Sequence, residues 1–313
     1  MPLGLRRGTV TAVLEQVPGL ARLEVDGIAC IAYPGLTGEV DVGDDVLVNE
    51  QARLLELGSG GFDVLYANLT RGLGLPAEEG AHVMALPYTP GQVAAVHEEE
   101  TGLLAESLAG LPVVLCTLHS QVAPVCAGLA GARVAYVQVA GGALPVSLSD
   151  AVRALKERGL VERADAVAPC LDGDAQFVTA AAALASARAE GLEAAVCAPG
   201  PGIVGTGSRL GHGALTLADV ANVTTALGGR PVLAVRTSNA DERERHRGVS
   251  HHAEAVLALA LGDVVVPREE DGMGWQAACA GLPLSHMGRG PDAEPAFFRA
   301  AYAAGVAARA LVG

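Results

Sequence analysis

The sequence predicts an α/β protein: a small N-terminal β-barrel, then a doubly wound, mostly parallel sheet with helices on both faces. Short runs separated by turn residues fill residues 1–75. Over residues 82–313, continuous apolar runs alternate with helical stretches. The chain has 313 residues, half of them hydrophobic, which is enough to bury a core in both parts.

The first part contains short strand-like runs joined by turns such as Asp26-Gly27. These runs are "GTVTAVL", "LARLEV", "IACIAY", "GDDVLVN" and "ARLLEL". Their spacing is typical of a small barrel. No residues with obvious ligand chemistry stand out in this part, so we expect it to serve packing or oligomerisation.

The second part alternates apolar strands with helices, which predicts a parallel sheet covered on both faces. A last helix over about 294–311 carries Phe297, Phe298 and Gly305 and is expected to pack on the sheet or on a partner subunit of a homo-oligomer. The strand runs are "PVVLCTL", "RVAYVQV", "ADAVAPC", "EAAVCAP", "PVLAVRT" and "DVVVP", and the clearest helical runs are "SDAVRALKERG" and "QFVTAAAALASARAEG".

Composition narrows the class of protein. A formal net charge of −14 argues against a nucleic-acid-binding protein, which needs a basic face. The six cysteines form no CxxC pair, which predicts buried free thiols in a reducing compartment. The first residues lack the apolar core of a signal peptide, and no stretch has the length and apolarity of a membrane span. We therefore expect a cytoplasmic protein with a small-molecule partner and no membrane association.

Ligands of doubly wound sheets bind outside the carboxyl ends of the strands. The polar residues of the second part fall largely in the loops expected there. After successive strands come His119 and Ser120, then Gly141 and Gly142, then Asp172 and Asp174. The two aspartates are candidates either for Mg²⁺ binding or for acid and base roles. Ser120 is also a candidate N-cap of the following helix. Their convergence on one edge predicts a functional site at that edge.

The loop "GPGIVGTGSRLG", residues 200–211, is expected to hold an anion. Gly200, Gly202 and Gly205 match the GxGxxG dinucleotide pattern, but more glycines follow where a helix should begin, and the next helix signal is a capping box at Thr216 and Asp219. An NADP site therefore remains only an alternative, supported by Arg236 at the end of the next strand. The preferred interpretation is an anion nest. The simplest alternative is a tight turn that needs glycine only for its backbone conformation. The nest would consist of Gly205, Thr206, Gly207, Ser208 and Arg209.

A second candidate constellation is "RERHRGVSHHAEAV". Ser250 is a candidate N-cap, which places His251 and His252 in the first turn of a helix, where the helix dipole favours neutral imidazole. His251 and Glu254 share a helical face, but no third ligand has metal spacing, so the sequence favours no metal. We predict His251, His252, His246 and Asp174 as acid–base residues, with Arg209 and Arg247 holding an anion. The glycine loop and the Ser250 helix start are expected to face one another.

These motifs resemble one family. The segments "VLYANLTRG", "HVMALPYTP", "LHSQ", "GPGIVGTGSRLG" and "RHRGVSHH" are similar to the bacterial domain-of-unknown-function family 3866. The resemblance covers nearly the whole chain and implies one continuous functional unit. It implies no activity, substrate or catalytic residue.

The expectation from the residues is thus a cytosolic enzyme that acts on a small anionic, phosphorylated metabolite. An NADP-type oxidoreductase and a non-catalytic ligand sensor are the two alternatives.

Overall fold

The computed structural model describes residues 3–56, 61–100 and 102–313. The chain divides into two compact units, Met1–Val96 and His97–Gly313. The boundary therefore lies after the one expected from the sequence, because residues 82–96 group with the first unit.

The first unit contains the predicted barrel, closed in the order β1-β2-β3-β5-β4. Alternate side chains of the strands, among them Leu23, Val25, Val46 and Val48, fill its interior. The strands are β1 (Leu5–Val17), β2 (Leu20–Val25), β3 (Ile28–Ala32), β4 (Asp45–Asn49) and β5 (Asp63–Asn68).

One barrel strand was predicted wrongly. The run "ARLLEL" forms part of a short helix, α2 (Gln51–Leu54), which follows α1 (Pro34–Thr37); its last residue, Leu57, lies outside the described residues. Leu54 and Leu55 are both exposed, so the run lacks the alternation of a barrel strand. The strand that takes its place is β5, and beyond it β6 (Val83–Ala85) pairs antiparallel with β7 (Val93–Ala95).

The second unit is built on a parallel six-stranded sheet, which confirms the predicted fold class. Its order is β11-β10-β9-β12-β8-β13, so the chain moves outward in one direction before it returns to the other side. The strands are β8 (Pro112–Cys116), β9 (Val134–Val139), β10 (Arg163–Val167), β11 (Ala175–Phe177), β12 (Ala194–Pro199) and β13 (Arg230–Ala234).

Helices cover both faces of this sheet, as the continuous apolar strands predict. One face packs against α3 (Val122–Gly128), α4 (Asp150–Glu157), α8 (Trp275–Ala278) and α9 (Pro295–Arg309). The other face packs against α5 (Ala180–Ala189), α6 (Thr216–Ala226) and α7 (His251–Leu259).

Several local predictions in the second unit were wrong. The start of "QFVTAAAALASARAEG" belongs to strand β11, and the run "DVVVP" joins the sheet only through a bridge between Val265 and Val232. Helix α6 begins at Thr216 without a side-chain cap, so the expected capping box is not formed. Two further short strands, β14 (Thr237–Ser238) and β15 (Gly248–Val249), pair in the loop that follows β13.

Helix α9 packs onto α3 with almost no space between the backbones. A Cβ on Gly305 would lie 2.1 Å from the carbonyl oxygen of Val125, and one on Gly128 would lie 2.5 Å from that of Tyr302. The partner of Gly305 is therefore another helix of the same chain. All six cysteines are free and buried, as predicted. Within the described ranges, no helix has both the length and the apolarity needed to cross a membrane.

Candidate functional site

The loops at the carboxyl edge of the sheet converge. The loop after β9 and the loop after β12 contact each other closely at their glycines. A Cβ on Gly142 would lie 2.1 Å from the oxygen of Gly200, and one on Gly213 would lie 2.1 Å from the oxygen of Gly141. Hydrogen bonds link the same two loops, from Ala143 N to Pro201 O at 2.9 Å and from Val204 N to Gly141 O at 2.9 Å. Only glycine permits this approach. The structure thus explains Gly141, Gly142 and Gly200, predicted as ligand-binding residues, by backbone packing.

The rest of the glycine loop is an exposed hairpin. Gly202 has a φ of +69°, and Gly205 forms a bridge with His212. Thr206 N donates to Gly211 O at 2.7 Å, and Ser208 N donates to the Thr206 hydroxyl at 3.2 Å. These amides are already engaged, so the expected nest of consecutive free N–H groups is not formed. The hydrogen bonds that close this hairpin join residues of one loop to each other, so the sequence pattern did not predict the hairpin.

Four histidines meet where this hairpin reaches helix α7. The ring of His212 stacks on that of His252, with 4.0 Å between centroids. The rings of His246 and His251 lie 4.9 Å apart, and those of His251 and His252 lie 4.5 Å apart. His212, His246 and His252 are buried, and His251 is partly exposed. The chain thus gathers half of its eight histidines at this point.

Ser250 orders this cluster. Its hydroxyl accepts a hydrogen bond from His252 N at 3.3 Å, which confirms the predicted N-cap of α7. The same oxygen lies 2.7 Å from Nδ1 of His246. One serine therefore fixes both the start of the helix and the orientation of a ring in the preceding loop.

Burial favours the neutral form of all four imidazoles. Burial, together with the positive charge of Arg236, lowers the pKa of His246 to about 3 and that of His252 to about 2. Burial also lowers the pKa values of His212 and His251, and the charge of Arg245 adds to the effect on His251. The cluster consequently offers imidazole lone pairs and N–H groups without charge of its own.

Arg236 lies inside the cluster. It is 2% exposed, one guanidinium nitrogen lies 3.1 Å from Nδ1 of His252, and the other lies 3.5 Å from Asp241. Asp241 is shared with Arg243, whose hydrogen bonds hold the pKa of this carboxyl far below its usual range. Because Arg236 is turned inward, it is not placed to meet the 2′-phosphate of NADP.

The other predicted arginines are exposed around the cluster. Arg247 donates to the carbonyl oxygen of Asp241 at 3.2 Å, and Arg209 lies on the exposed hairpin. Arg245 belongs to the same arginine-rich loop but was not predicted as a ligand-binding residue. It lies beside the hairpin: a Cβ on Gly207 would be 3.9 Å from its guanidinium carbon. The side chain of Arg245 therefore lies close to the glycine hairpin, and its positive charge acts on His251.

A second polar group lies in the loop after β8. Nε2 of His119 is 2.6 Å from the Ser149 hydroxyl, and its Nδ1 is 3.3 Å from the Tyr136 hydroxyl. Ser120 does not cap a helix, contrary to prediction; its hydroxyl lies 3.4 Å from Nδ1 of His286. The Gln121 amide donates to Ala234 O at 2.8 Å and thereby ties this loop to the end of β13.

Asp174 is not part of the site. It immediately precedes β11, hydrogen-bonds the backbone of Ala164 near the start of β10, and forms an ion pair with Lys156 at 2.5 Å. It therefore lies at the amino edge of the sheet, because the seven residues after β10 run back before β11 begins. Asp172, whose carboxylate accepts bonds from Ser147, is likewise committed to the fold.

Sequence reasoning missed several residues of this edge. His212 is a single histidine with no spacing signal. Ser238 and Glu294, which bond at 2.8 Å, are 56 positions apart. His246 was predicted as an acid–base residue, but the sequence spacing did not show that it supplies a third imidazole ligand beside His251 and His252. The nitrogens of these three histidines lie within 4.8 Å of one another, which corrects the expectation that the ligand set is incomplete.

The fold and the site together define a class of protein: an N-terminal barrel joined to a doubly wound domain whose carboxyl edge carries a cluster of neutral histidines among arginines. The chain belongs to the family described as "Protein of unknown function (DUF3866)", which matches residues 29–277.

Among solved structures, the chain shows a weak likeness to the crystal structure of YjeQ from Thermotoga maritima. The identity is 12%, the TM-score is 0.15, and the match covers 84% of this chain and 67% of that one. The search of curated proteins finds no match.

Proposed function

We propose that this protein is an enzyme that acts on a small anionic metabolite, of the phosphorylated class, bound at the carboxyl edge of the parallel sheet. The observation that carries the proposal is the position of Arg245, an exposed guanidinium beside the glycine hairpin whose positive charge also acts on His251.

Arg245 is suited to bind an anion. Among the described residues it has neither a hydrogen-bond nor an ion-pair partner, whereas Arg236, Arg243 and Arg247 are all engaged. A planar guanidinium donates two parallel hydrogen bonds to a phosphate or carboxylate, each charge-assisted. A free guanidinium at the mouth of a site is therefore the group that an anionic ligand would meet first.

The neutral imidazoles support chemistry rather than binding alone. The His251 side chain is partly exposed, and its Nε2, which is itself buried, has no hydrogen-bond partner within the part of the chain that the structure describes. A neutral ring with a free nitrogen accepts a proton from, or donates one to, a ligand held by Arg245. His251 and His252 thus retain the acid–base role expected from the sequence, while Asp174 does not.

The negative net charge of the chain adds weight to the arginine cluster as an anion site. The chain carries a formal charge of −14, so its average field repels anions. Arginines gathered at one loop cluster oppose that field locally, which favours an anion there over other parts of the surface.

Inorganic phosphate tests the binding step. We expect phosphate to raise the melting temperature of the wild-type protein above its value in chloride of equal ionic strength, because a ligand that binds the native state stabilises it. The Arg245→Ala variant should lose most of this shift. Arg309→Ala is the matched control, because Arg309 is exposed near the end of α9 and should leave the shift unchanged.

The catalytic step is tested by incubation of the purified protein with a cell metabolite extract. Mass spectrometry should show one anionic metabolite consumed by wild type and spared by Arg245→Ala. Equal phosphate shifts in wild type and Arg245→Ala would overturn the anion site. Tight binding of an anion without turnover would overturn the enzymatic role and identify a ligand sensor.

A further inference from the structure

We infer that His246, His251 and His252 form a binding site for a divalent transition metal of the zinc type, and that this metal works at the site of the proposed function. The ligand nitrogens of these three residues lie within 4.8 Å of one another. The inference deepens the proposed function and rests on it for the role of the metal, but the metal site itself is tested separately.

The donor set selects the class of metal. Three imidazoles suit zinc, cobalt, nickel or copper, whereas magnesium and calcium require oxygen ligands. Three protein ligands also leave one position of a tetrahedral ion open, which is the arrangement of catalytic rather than structural zinc sites.

Unpartnered nitrogens provide an independent indication of a ligand. Nε2 of His251 is buried at the atom level and has no hydrogen-bond partner among the described residues. Both ring nitrogens of the neighbouring His212 are in the same situation. A buried polar atom without a partner destabilises the fold, so such atoms seldom gather at one point without something to bind. A metal ion would satisfy Nε2 of His251 directly.

The surroundings of His246 match those of a metal ligand. Its Nδ1 lies 2.7 Å from the Ser250 hydroxyl, which leaves Nε2 for a metal. Histidine ligands commonly hydrogen-bond through the second ring nitrogen, and this bond fixes the ring orientation. Nitrogens of a tetrahedral zinc site are roughly 3.4 Å apart, so small ring rotations must draw this set closer when a metal binds.

The contact between Arg236 and His252 must open when a metal binds. A guanidinium nitrogen of Arg236 donates to Nδ1 of His252 at 3.1 Å, so the neutral ring carries its proton on Nε2. Coordination through Nε2 requires that proton to move to Nδ1, and the contact with Arg236 must then open. Asp241 lies 3.5 Å from the other guanidinium nitrogen and offers Arg236 a closer pairing when it is released. Arg236 and the metal thus compete for His252.

Charge connects the metal to the proposed substrate. Three neutral imidazoles leave the full double charge of the ion uncompensated, and Arg236 and Arg245 add to it while Asp241 is shared with Arg243. The open position is therefore expected to take an anion: hydroxide, or an oxygen of a phosphate held by Arg245. His246, His251 and His252 would hold the metal, which would lower the pKa of a bound water, so that the resulting hydroxide would be available as a proton acceptor in place of a free imidazole.

The experiment uses the full chain, stripped of metal with a chelator and titrated with Co²⁺ alone. Co²⁺ in a tetrahedral nitrogen site absorbs visible light, and elemental analysis gives the number of ions bound. We expect one Co²⁺ per chain and a tetrahedral spectrum. His246→Asn, His251→Asn and His252→Asn should each weaken binding at least tenfold, whereas His97→Asn, which alters a buried histidine outside the cluster, should leave it unchanged.

The absence of stoichiometric Co²⁺ from the wild-type protein would overturn the inference. Equal Co²⁺ binding by wild type and by the three variants, with folding verified by circular dichroism, would also overturn it. The phosphate experiment separates this proposal from the first. A phosphate shift that depends on Arg245, without Co²⁺ binding, leaves an anion site without a metal; Co²⁺ binding without such a shift leaves a metal site without the proposed substrate class.

Discussion

At Arg236 a full positive charge is buried among imidazole rings, with a shared carboxylate as its nearest acid. Burial lowers the pKa of Arg236 to about 10, yet the side chain remains protonated at neutral pH. Its contact with His252 fixes which ring nitrogen carries the proton. The residue therefore controls the state of the cluster without contacting solvent.

Replacement of Arg236 by methionine should tighten Co²⁺ binding. The substitution removes a positive charge near the ion and frees Nδ1 of His252, while a long side chain still fills the space. We expect an affinity gain of about tenfold, which corresponds to about 1.4 kcal/mol. Competition titrations with a chromophoric chelator measure it. Weaker binding by a folded Arg236→Met protein would mean that Arg236 supports the site rather than competing with the metal.

Glu294 is a second buried charge at this edge. Its two carboxylate oxygens accept the Ser238 hydroxyl at 2.8 and 2.9 Å, and one of them also accepts Arg289 Nε at 2.8 Å. Ser238 in turn accepts the amides of Ala240 and Asp241. Glu294 thereby anchors the loop after β13 to the start of α9.

Glu294→Ala should destabilise the protein by about 3 kcal/mol, because it leaves the buried Ser238 hydroxyl and Arg289 without their partner. Glu294→Gln keeps an acceptor for Ser238 and should cost less. Glu157→Ala, at an exposed helical position, is the control and should stay within about 0.5 kcal/mol of wild type. Urea denaturation gives the three values, and equal stability of Glu294→Ala and Glu157→Ala would contradict the anchoring role.

For individual residues, the sequence reveals contacts between neighbours along the chain and misses contacts between residues that are far apart in it. Ser250 could be predicted as a cap because the signal lies within the first helical turn. Arg245 and His212 could not be assigned, because their positions depend on a hairpin folding back toward α7. Asp174 was misplaced because nothing in the sequence shows that the chain after β10 runs back to the amino edge before β11.

At the scale of elements, the pair formed by α3 and α9 depends on two glycines. Gly128 and Gly305 each face the backbone of the other helix at distances that exclude a side chain. The C-terminal helix was predicted from its composition, and its need for close contact from the glycine in its middle. Which element it contacts could not be predicted, since neither helix carries a signal for the other.

Gly305→Ala should destabilise the protein by about 1–3 kcal/mol, despite the higher helix propensity of alanine, because the new methyl group overlaps the oxygen of Val125. Gly35→Ala is the matched control, because this glycine lies in helix α1 and no atom of a described residue beyond its chain neighbours comes within 4 Å of the added Cβ. It should be neutral or stabilising by up to about 1 kcal/mol. Thermal unfolding compares the two, and a stabilised Gly305→Ala protein would rule out the close contact.

Strand predictions succeeded where burial is continuous and failed where it is not. The runs that became β8, β9 and β12 are buried at every position, and their apolar sequences show it. The run "ARLLEL" contains leucines, but Leu54 and Leu55 are exposed, and β11 has only three residues, two of them partly exposed. Short and half-exposed elements are decided by their neighbours rather than by their own composition.

For the whole molecule, the topology of the sheet assembles the site. The loops after β12 and β13 were expected to meet because their strands were expected to be neighbours. Strand β8 lies between them, yet they still meet, because the hairpin extends far enough for His212 to stack on His252. Fold class could be read from the alternation of strands and helices, whereas strand order depends on long-range packing.

All proposed metal ligands lie in the second compact unit, His97–Gly313. A fragment of residues 97–313 should therefore bind one Co²⁺ with the affinity of the full chain, as measured by the same spectrum. Its secondary structure, checked by circular dichroism, is the control. A folded fragment without Co²⁺ binding would show that the first unit contributes to the site.

The most direct test of the central claim is mass spectrometry of small molecules that co-purify with the native protein. The proposed function predicts an anionic, phosphorylated metabolite near one equivalent per chain in wild type. The Arg245→Ala protein should lose it, and the Arg309→Ala protein should retain it. A neutral or cationic ligand, or an anion retained equally by Arg245→Ala, would contradict the assignment of this edge as an anion-binding catalytic site.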